Sequence, residues 1–418
     1  MANQVSESPA ERTFQYQHRL PPLPVPSLEG SLAKYLDAVR PFATEEEYQV
    51  TAAILKRFGE GIGKDLHQKL LQRARTHRNW LEEWWLDAAY LELRYPSQLN
   101  VNFGGPAPYL EHCWPPTEGA REYLIGIDPA NKTLLETIQS SLFVVSLDDA
   151  KPYATAENYT PLTREALIGD PTIRWGDKSY NSISFADGTF GSNCDHAPYD
   201  AMVLVTQGYY VDQQLKATDG KWKGSETVRP MPLPEELVFT VDDRVRSDIA
   251  HAKQQYFETT QDLQVVCYAF TSFGKAAIKQ RKLHPDTFIQ LALQLAYYRQ
   301  HGRSGSCYET AMTRRFYHGR TETMRPCTLE AQNWCRIMLN PVASAEAKRK
   351  ALLLAFNKHN KLMAEAQNGK GFDRHLLGLI VASCSAWKSS PETDAETLFQ
   401  NLVTSLHEML HLATTAQL

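Results

Sequence analysis

The sequence lacks both a long hydrophobic run and a surplus of positive charge. A transmembrane helix needs about 20 consecutive, predominantly apolar residues, and the 418-residue chain contains no such run. Its 48 acidic residues outnumber its 44 basic ones, for a formal net charge of -4. Because nucleic-acid-binding domains normally carry a basic surplus, we expect no nucleic-acid partner. The lack of a long apolar run likewise leads us to expect no transmembrane segment.

Cysteine is scarce as well, and it does not occur in the pairs that metal sites use. None of the seven cysteines forms a Cys-x-x-Cys pair, and an odd, scattered set argues against both a disulfide framework and a zinc site. We therefore expect a reducing compartment and no bound metal. Residues 1–19 lack the apolar segment of a signal peptide and the arginine-rich, acid-poor composition of a transit peptide, so we expect neither.

Helical and strand-like patterns alternate along the chain, which has room for about two or three domains. Periodicity and capping signals predict helices over Ser27–Val39, Gly63–Leu93, Tyr199–Leu215, Asp242–Glu258, Pro285–Tyr298, Ala345–Ala364 and Glu396–Leu412. Of these, Tyr199–Leu215 is apolar enough to be mostly buried, and a capping box starts a further helix at Thr44. Short apolar runs predict strands over Leu142–Leu147, Leu237–Val241 and Leu263–Phe270. We therefore predict an α/β fold.

A histidine and an aspartate stand four residues apart at a predicted strand-to-loop corner. Ser182–Phe185 alternates polar and apolar residues, an Asp-Gly turn follows, and Phe190–Cys194 can return as the partner strand. His196 comes next, and Asp200 is close enough to orient its imidazole. A neutral imidazole is a suitable general base for the proton of an alcohol or a thiol. On these residues alone, a core histidine beside a surface aspartate is the more frequent alternative.

Three further clusters carry binding chemistry, each with a structural alternative. Lys275 and Lys279 are one helical turn apart and could hold a phosphate, or they could form a solvated basic turn. Tyr308 and Thr310 would share one side of a strand and could hydrogen-bond one polar ligand, although both residue types are common in strands. Arg374, in an otherwise apolar stretch, could bind a carboxylate at two points or pair with a structural acid.

Together and in this order, these residues resemble those of the carnitine acyltransferase family. The resemblance extends from Glu11–Tyr16 almost to the last residue, and its longest specific stretches are Asn79–Trp85, Trp175–Tyr180, His284–Tyr298 and Gly371–Leu379. It implies two chloramphenicol-acetyltransferase-like domains with mixed sheets and flanking helices. Their expected bounds are 96–235, which carries His196, and 236–418, with an N-terminal helical region, 1–95, packing on the second domain.

The resemblance implies a reversible transfer of a medium-chain, octanoyl-like acyl group between coenzyme A and the hydroxyl of L-carnitine. His196, oriented by Asp200, would be the general base, with no acyl-enzyme and no cofactor, since coenzyme A is a substrate. The residues implied for coenzyme A are Lys275, Lys279, Gln280, Arg281, Lys282, Leu283, His284, Pro285 and Asp286. Those implied for carnitine are Tyr308, Thr310, Thr321 and Arg374. Choline has no carboxylate, so Thr321 and Arg374 favour carnitine.

The family also implies a monomer in the peroxisome. The C-terminal tripeptide Ala416-Gln417-Leu418 is a loose variant of the small-polar-leucine peroxisomal address. Together with the resemblance, it predicts binding to the peroxisomal import receptor.

Two joins depart from the family's pattern. Family members have many tens of residues more between the equivalents of Gly119 and Ala120, and again between those of Ile380 and Val381. The second stretch would carry a Ser-Thr-Ser motif whose serine stabilises the oxyanion, and loss of one such donor costs about a hundredfold or more in rate. The alternative hypothesis is therefore a catalytically impaired variant that retains only coenzyme A binding or partial folding.

Overall fold

A computed structural model describes residues 15–91, 118–176, 178–221 and 232–383, together with 224, 227 and 230. The chain divides into two compact units, one formed by 1–88 with 273–418 and the other by 89–272. Both units mix helices with short strands, which confirms the predicted α/β class. Among the described helices, none combines the length and the apolarity that a membrane span requires.

The N-terminal part of the first unit is helical and begins with strong local capping signals. The helices are α1 (Leu28–Val39), α2 (Glu45–Glu60), α3 (Ile62–Thr76) and α4 (Glu82–Leu86), followed by a π-turn, Asp87–Leu91. The Thr44 hydroxyl accepts from the Glu47 amide, and the Glu47 carboxylate accepts from the Thr44 amide, which confirms the capping box. The predicted single run Gly63–Leu93 is wrong, because the chain leaves α3 at His77 and buries Trp80 before α4 begins.

The second unit contains a mixed three-stranded sheet. Its elements are α5 (Glu118–Ile127), α6 (Ala130–Ser140), β1 (Val144–Asp148), α7 (Thr160–Ile168), β2 (Asn181–Phe185), β3 (Phe190–Asn193), α8 (Ala201–Ala217) and α9 (Asp243–Gln261). Strand β1 runs parallel to β2, with Val144 opposite Asn181, and β2 pairs with β3 in antiparallel fashion, with Asn181 opposite Asn193. The predicted hairpin is confirmed, and Gly188 supplies the positive φ of 84° at its turn.

Two predicted strands are absent because other groups satisfy their backbone. In Leu237–Val241, the amide of Thr240 donates to Asn131 Oδ1 and its carbonyl accepts from Asn131 Nδ2, so a buried side chain replaces a neighbouring strand. In Leu263–Phe270, a single bridge joins Tyr268 to Asn158. The chain around Asn158 turns into α7 at Thr160, so the ladder cannot extend.

Helix α8 forms where a helix was predicted, but the expectation that it would be mostly buried is wrong. None of its residues is buried, and Val203, Val205 and Tyr209 are all exposed. On β1, Val145 and Leu147 are exposed too, while the polar Ser146 and Asp148 point inward. Within the described residues, no second layer covers these apolar faces.

The rest of the first unit holds a two-stranded sheet and its largest apolar clusters. Its elements are α10 (Lys275–Gln280), α11 (Pro285–His301), β4 (Glu309–Met312), β5 (Thr321–Met324), α12 (Leu329–Leu339), α13 (Ala345–Gln367) and α14 (Asp373–Ser383). One cluster joins α11, α12 and α13 around Trp334 and Phe356, and another joins Trp80 and Leu70 to Leu379 of α14. The predicted helix Glu396–Leu412 and the tripeptide 416–418 lie outside the described residues.

Candidate active site

His196 lies in the loop between β3 and α8, at the corner that the sequence predicts. The hairpin of β2 and β3 ends at Asn193, and α8 begins at Ala201 with Asp200 as its extended N-cap residue. The loop is braced at Tyr199, whose hydroxyl donates to the carbonyl of Ser179. The histidine is therefore held between two regular elements rather than on a long loop.

The contacts of the His196 ring indicate which nitrogen carries the proton. Nδ1 lies 3.1 Å from the carbonyl oxygen of Tyr199 and 3.6 Å from Oδ1 of Asp200. A carbonyl oxygen only accepts, so Nδ1 is the donor in this pair and the neutral ring has its lone pair on Nε2. The ring also stacks on Tyr90, with centroids 5.2 Å apart and planes at 29°. This tautomer is the one that a general base acting through Nε2 requires.

The thiol of Cys194 and the hydroxyl of Tyr199, two residues close to His196 in the chain, stay neutral at physiological pH. Burial raises the pKa of the Cys194 thiol and, more strongly, that of the Tyr199 hydroxyl. Neither group therefore supplies a competing thiolate or phenolate beside His196.

The predicted coenzyme A segment forms a short helix and the start of a longer one. Lys275 and Lys279 are exposed one turn apart on α10, while Ile278 of the same helix is buried. The chain then turns at Lys282, whose φ is 59°, and enters α11 with Asp286 in its first turn. The two ammonium groups consequently face solvent on one side of α10, where an anion can reach them.

Asp286 connects this segment to a buried acid that the sequence analysis missed. Glu309, on β4, is 8% exposed, and its Oε2 lies 3.2 Å from Nε2 of the buried His359 on α13. Burial raises the pKa of Glu309, against the lowering effect of His359, and a hydrogen bond with Asp286 raises it further. One polar atom from each of the three residues lies within 4.8 Å of the other two. The segment thus ends against the strand that follows Tyr308.

Three of the residues implied for carnitine lie on or beside the β4–β5 hairpin. Tyr308 and Thr310 are exposed and alternate with the buried Glu309 and Ala311, so they share one face as predicted. Strand β5 pairs with β4 in antiparallel fashion, with Thr321 opposite Met312. Thr321 is buried, as is the rest of β5.

Arg374 lies in the first turn of α14, next to Thr321 and above an indole ring. Its guanidinium carbon is 3.4 Å from the ring centroid of Trp85. Its Nε lies 3.4 Å from the Thr321 carbonyl oxygen, and one terminal nitrogen lies 3.5 Å from the Thr321 hydroxyl. The neighbouring acid, Asp373, bonds the guanidinium of Arg325. Asp373 is therefore the partner of Arg325, and the contacts of the Arg374 guanidinium described above are with Trp85 and Thr321.

A second buried acid, Glu322, lies beneath the turn that carries Arg374. It is 5% exposed, and its Oε1 accepts from the amides of Thr323, at 2.7 Å, and Arg374, at 3.2 Å. Burial raises its pKa to about 7, against the lowering effect of the Arg374 charge. Sequence periodicity does not single out Glu322, because β5 is buried on both faces and shows no alternation.

The candidate residues fall into two sets. His196 and Asp200 belong to the unit formed by 89–272, and the coenzyme A and carnitine sets belong to the other unit. Trp85, Tyr90, Glu309 and Glu322 are additions that the sequence analysis missed, since each acts through a neighbour distant in the chain.

Comparison with known proteins gives one family. Its model, described as Choline/Carnitine o-acyltransferase, matches residues 23–119 and 115–416. The first match ends at Gly119, where the resemblance implies the first missing stretch.

Individual proteins are similar over the whole chain. "Peroxisomal carnitine O-octanoyltransferase" of Bos taurus is 44% identical over 606 positions, covering 99% of each chain, and that of Homo sapiens is 42% identical over 612 positions, covering 100% of each. "Carnitine O-acetyltransferase" of Columba livia is 28% identical over 520 positions, covering 92% of this chain and 82% of that protein. With 612 aligned positions against 418 residues, 194 positions of the human alignment have no residue in this chain.

Proposed function

Since the chain belongs to the Choline/Carnitine o-acyltransferase family, we propose that it transfers an octanoyl-like, medium-chain acyl group reversibly between coenzyme A and the hydroxyl of L-carnitine. As a member of this family it is an acyltransferase. The observation that carries the proposal is the geometry of His196, whose Nδ1 is 3.1 Å from a carbonyl oxygen. The medium chain length is supported by the names of the relatives at 42% and 44% identity.

In the proposed reaction His196 acts as general base without forming a covalent intermediate. With its Nδ1 proton held by the Tyr199 carbonyl, Nε2 takes the proton of the carnitine hydroxyl. The oxygen attacks the thioester carbonyl carbon, the carbon–sulfur bond breaks, and the imidazolium returns its proton to the departing thiolate. Asp200, 3.6 Å from Nδ1, stabilises the imidazolium formed on the way. Coenzyme A is a substrate in this scheme, which needs no cofactor.

Lys275 and Lys279 bind the phosphates of coenzyme A as exposed point charges, and the chain to Asp286 lies along the same ligand. Asp286 also bonds Glu309, so a ligand on this segment lies next to the strand that positions Tyr308 and Thr310.

Arg374 binds the carboxylate of carnitine, with Tyr308, Thr310 and Thr321 as further contacts. The indole of Trp85 supports one face of the guanidinium, and a planar guanidinium can bind a carboxylate at two points along its edge. Choline, which has no carboxylate, gains nothing from this arrangement.

The proposed location is the peroxisome, where the octanoyltransferase relatives are placed by name. The tripeptide 416–418 is the proposed contact to the import receptor. We propose that the chain acts as a monomer.

The test is release of free thiol from octanoyl-coenzyme A by the purified chain. Release should depend on L-carnitine, should fall to the blank when choline replaces it, and should be lost in His196→Ala. A His251→Ala variant is the matched control, because His251 is an exposed histidine of the same unit. Carnitine-independent release, or equal rates for the chain and His196→Ala, would exclude the proposal.

A second candidate function is coenzyme A binding without catalysis. It is favoured by the 194 aligned positions that this chain lacks and by the exposed apolar faces of α8 and β1. Under this alternative, coenzyme A raises the melting temperature equally in the chain and in His196→Ala, while neither releases thiol. A loss of that stabilisation in a Lys275→Ala, Lys279→Ala double variant would place the ligand on α10.

A further inference from the structure

Four described ionisable side chains interact with one another around Glu322. Two guanidinium groups, Arg374 and Arg325, face two carboxyl groups, Glu322 and Asp373. Arg325 bonds Asp373, and Glu322 lies against the turn of Arg374. When all four groups are ionised their charges sum to zero, and a carboxylate bound at Arg374 adds a negative charge close to Glu322.

Glu322 cannot relieve that excess by moving toward solvent. It is 5% exposed, its Oε1 holds two backbone amides, and its Cγ packs where Gly371 leaves room for no side chain. Glu309, the carboxyl group of the neighbouring strand β4, lies 3.2 Å from Nε2 of His359 on α13. The Cys307 thiol stays neutral, because burial raises its pKa.

We propose that Glu322 takes up a proton when a carboxylate ligand occupies Arg374. The inference rests on the proposed function, in which that ligand is L-carnitine. A buried carboxyl group loses its charge when the cation that stabilises it is neutralised by another anion. Protonation of Glu322 costs little, because its pKa of about 7 already lies close to physiological pH. Glu322 is thus a positioning residue whose proton makes the site able to accept a second carboxylate.

The sign of the linkage follows from the direction of the change. A bound anion raises the pKa of Glu322 above its value in the free protein, so binding takes up protons and the affinity falls as pH rises through 7 to 8. If the pKa rises by about one, uptake at pH 7.5 is about half a proton per ligand, and affinity falls by up to about tenfold between pH 6 and 9.

The experiment is calorimetric titration of the full chain with L-carnitine at pH 7.5, in phosphate and in Tris buffer. Because the two buffers differ in ionisation enthalpy, the difference in heat measures the protons taken up. We expect about half a proton for the unsubstituted chain, almost none for Glu322→Gln, and about half for Glu330→Gln, a partly buried acid on α12 outside the proposed binding sites.

Heats that are equal in the two buffers, or proton uptake that persists in Glu322→Gln, would overturn the inference. If Glu322→Gln does not fold, the affinity of the unsubstituted chain for L-carnitine, measured from pH 6 to 9, decides instead, and a constant affinity overturns it. Carnitine-dependent thiol release without proton uptake defeats this inference alone. Absence of both carnitine binding and thiol release defeats the proposed function with it.

Discussion

Gly371→Ala tests the packing beneath Arg374, because the new methyl group has no room. An added Cβ would lie 2.3 Å from Cγ, 2.4 Å from Cδ and 2.7 Å from Oε2 of Glu322. Glu322 is buried and its Oε1 is held by two amides, so the side chain cannot turn away without losing those hydrogen bonds. Either Glu322 moves or the first turn of α14 shifts, and both disturb Arg374.

The expected cost combines two effects. Overpacking a close-packed interior costs about 1–3 kcal/mol, and breaking a hydrogen bond to a charged group costs about 1.5–3 kcal/mol. We therefore expect Gly371→Ala to lower the free energy of unfolding by about 2–5 kcal/mol, which lowers the melting temperature by about 5–15 °C.

The assay is thermal and urea unfolding followed by tryptophan fluorescence. Gly126→Ala is the control, since nothing lies within 4 Å of its added Cβ in α5 and alanine favours a helix by up to about 1 kcal/mol. In a Gly371→Ala, Glu322→Ala double variant the clash is removed, so its cost should be less than the sum of the two single costs. Equal midpoints for Gly371→Ala and Gly126→Ala, or additive costs, would refute the reasoning.

Three further predictions concern capping, pH and coenzyme A. Thr44→Ala removes the capping box of α2 and should lower the free energy of unfolding by about 1 kcal/mol in urea titrations; an unchanged midpoint would contradict it. Burial lowers the pKa of His375 from 6.5 to about 4, so the unfolded chain binds the proton first and stability should fall by up to about 3 kcal/mol between pH 6.5 and 4. His375→Asn should show a flatter pH dependence over that window. Lys275→Ala and Lys279→Ala should each raise the KM for octanoyl-coenzyme A by about two- to fivefold at low salt, and Lys350→Ala, at an exposed lysine of α13, should not.

Local signals in the sequence predict much of the helical structure. The capping box at Thr44, the aspartate cap at Asp242 and the proline at the first position of α11 each mark a helix start that the structure confirms. The Asp-Gly turn likewise predicts the hairpin before His196. These helix starts and this turn are specified by residues that are neighbours in the chain, so they can be predicted from a single sequence.

Features that depend on distant partners are not predicted. The run Leu263–Phe270 has the composition of a strand but meets only a short loop around Asn158, and Leu237–Val241 is satisfied by the side chain of Asn131. Trp85 packs against the core cluster around Trp80, and its contact with Arg374 is not visible from the sequence. No local sequence pattern predicts the burial of Glu322, because the side chain packs against Gly371, which is distant in the chain.

The exposure of α8 is a special case of the same limitation. Its apolar residues predict burial, and a chain with the additional 194 positions of the human alignment has more sequence with which to cover them. Burial of an apolar helix depends on a covering layer, which the helix itself does not specify. A purified chain with so much exposed apolar surface is expected to bind hydrophobic dyes strongly.

The most direct test of the central claim is mass spectrometry of the product formed from octanoyl-coenzyme A and L-carnitine. The proposed function predicts octanoylcarnitine from the unsubstituted chain and from His251→Ala, and none above the blank from His196→Ala. Octanoylcarnitine formed at equal rates by the unsubstituted chain and His196→Ala would contradict it.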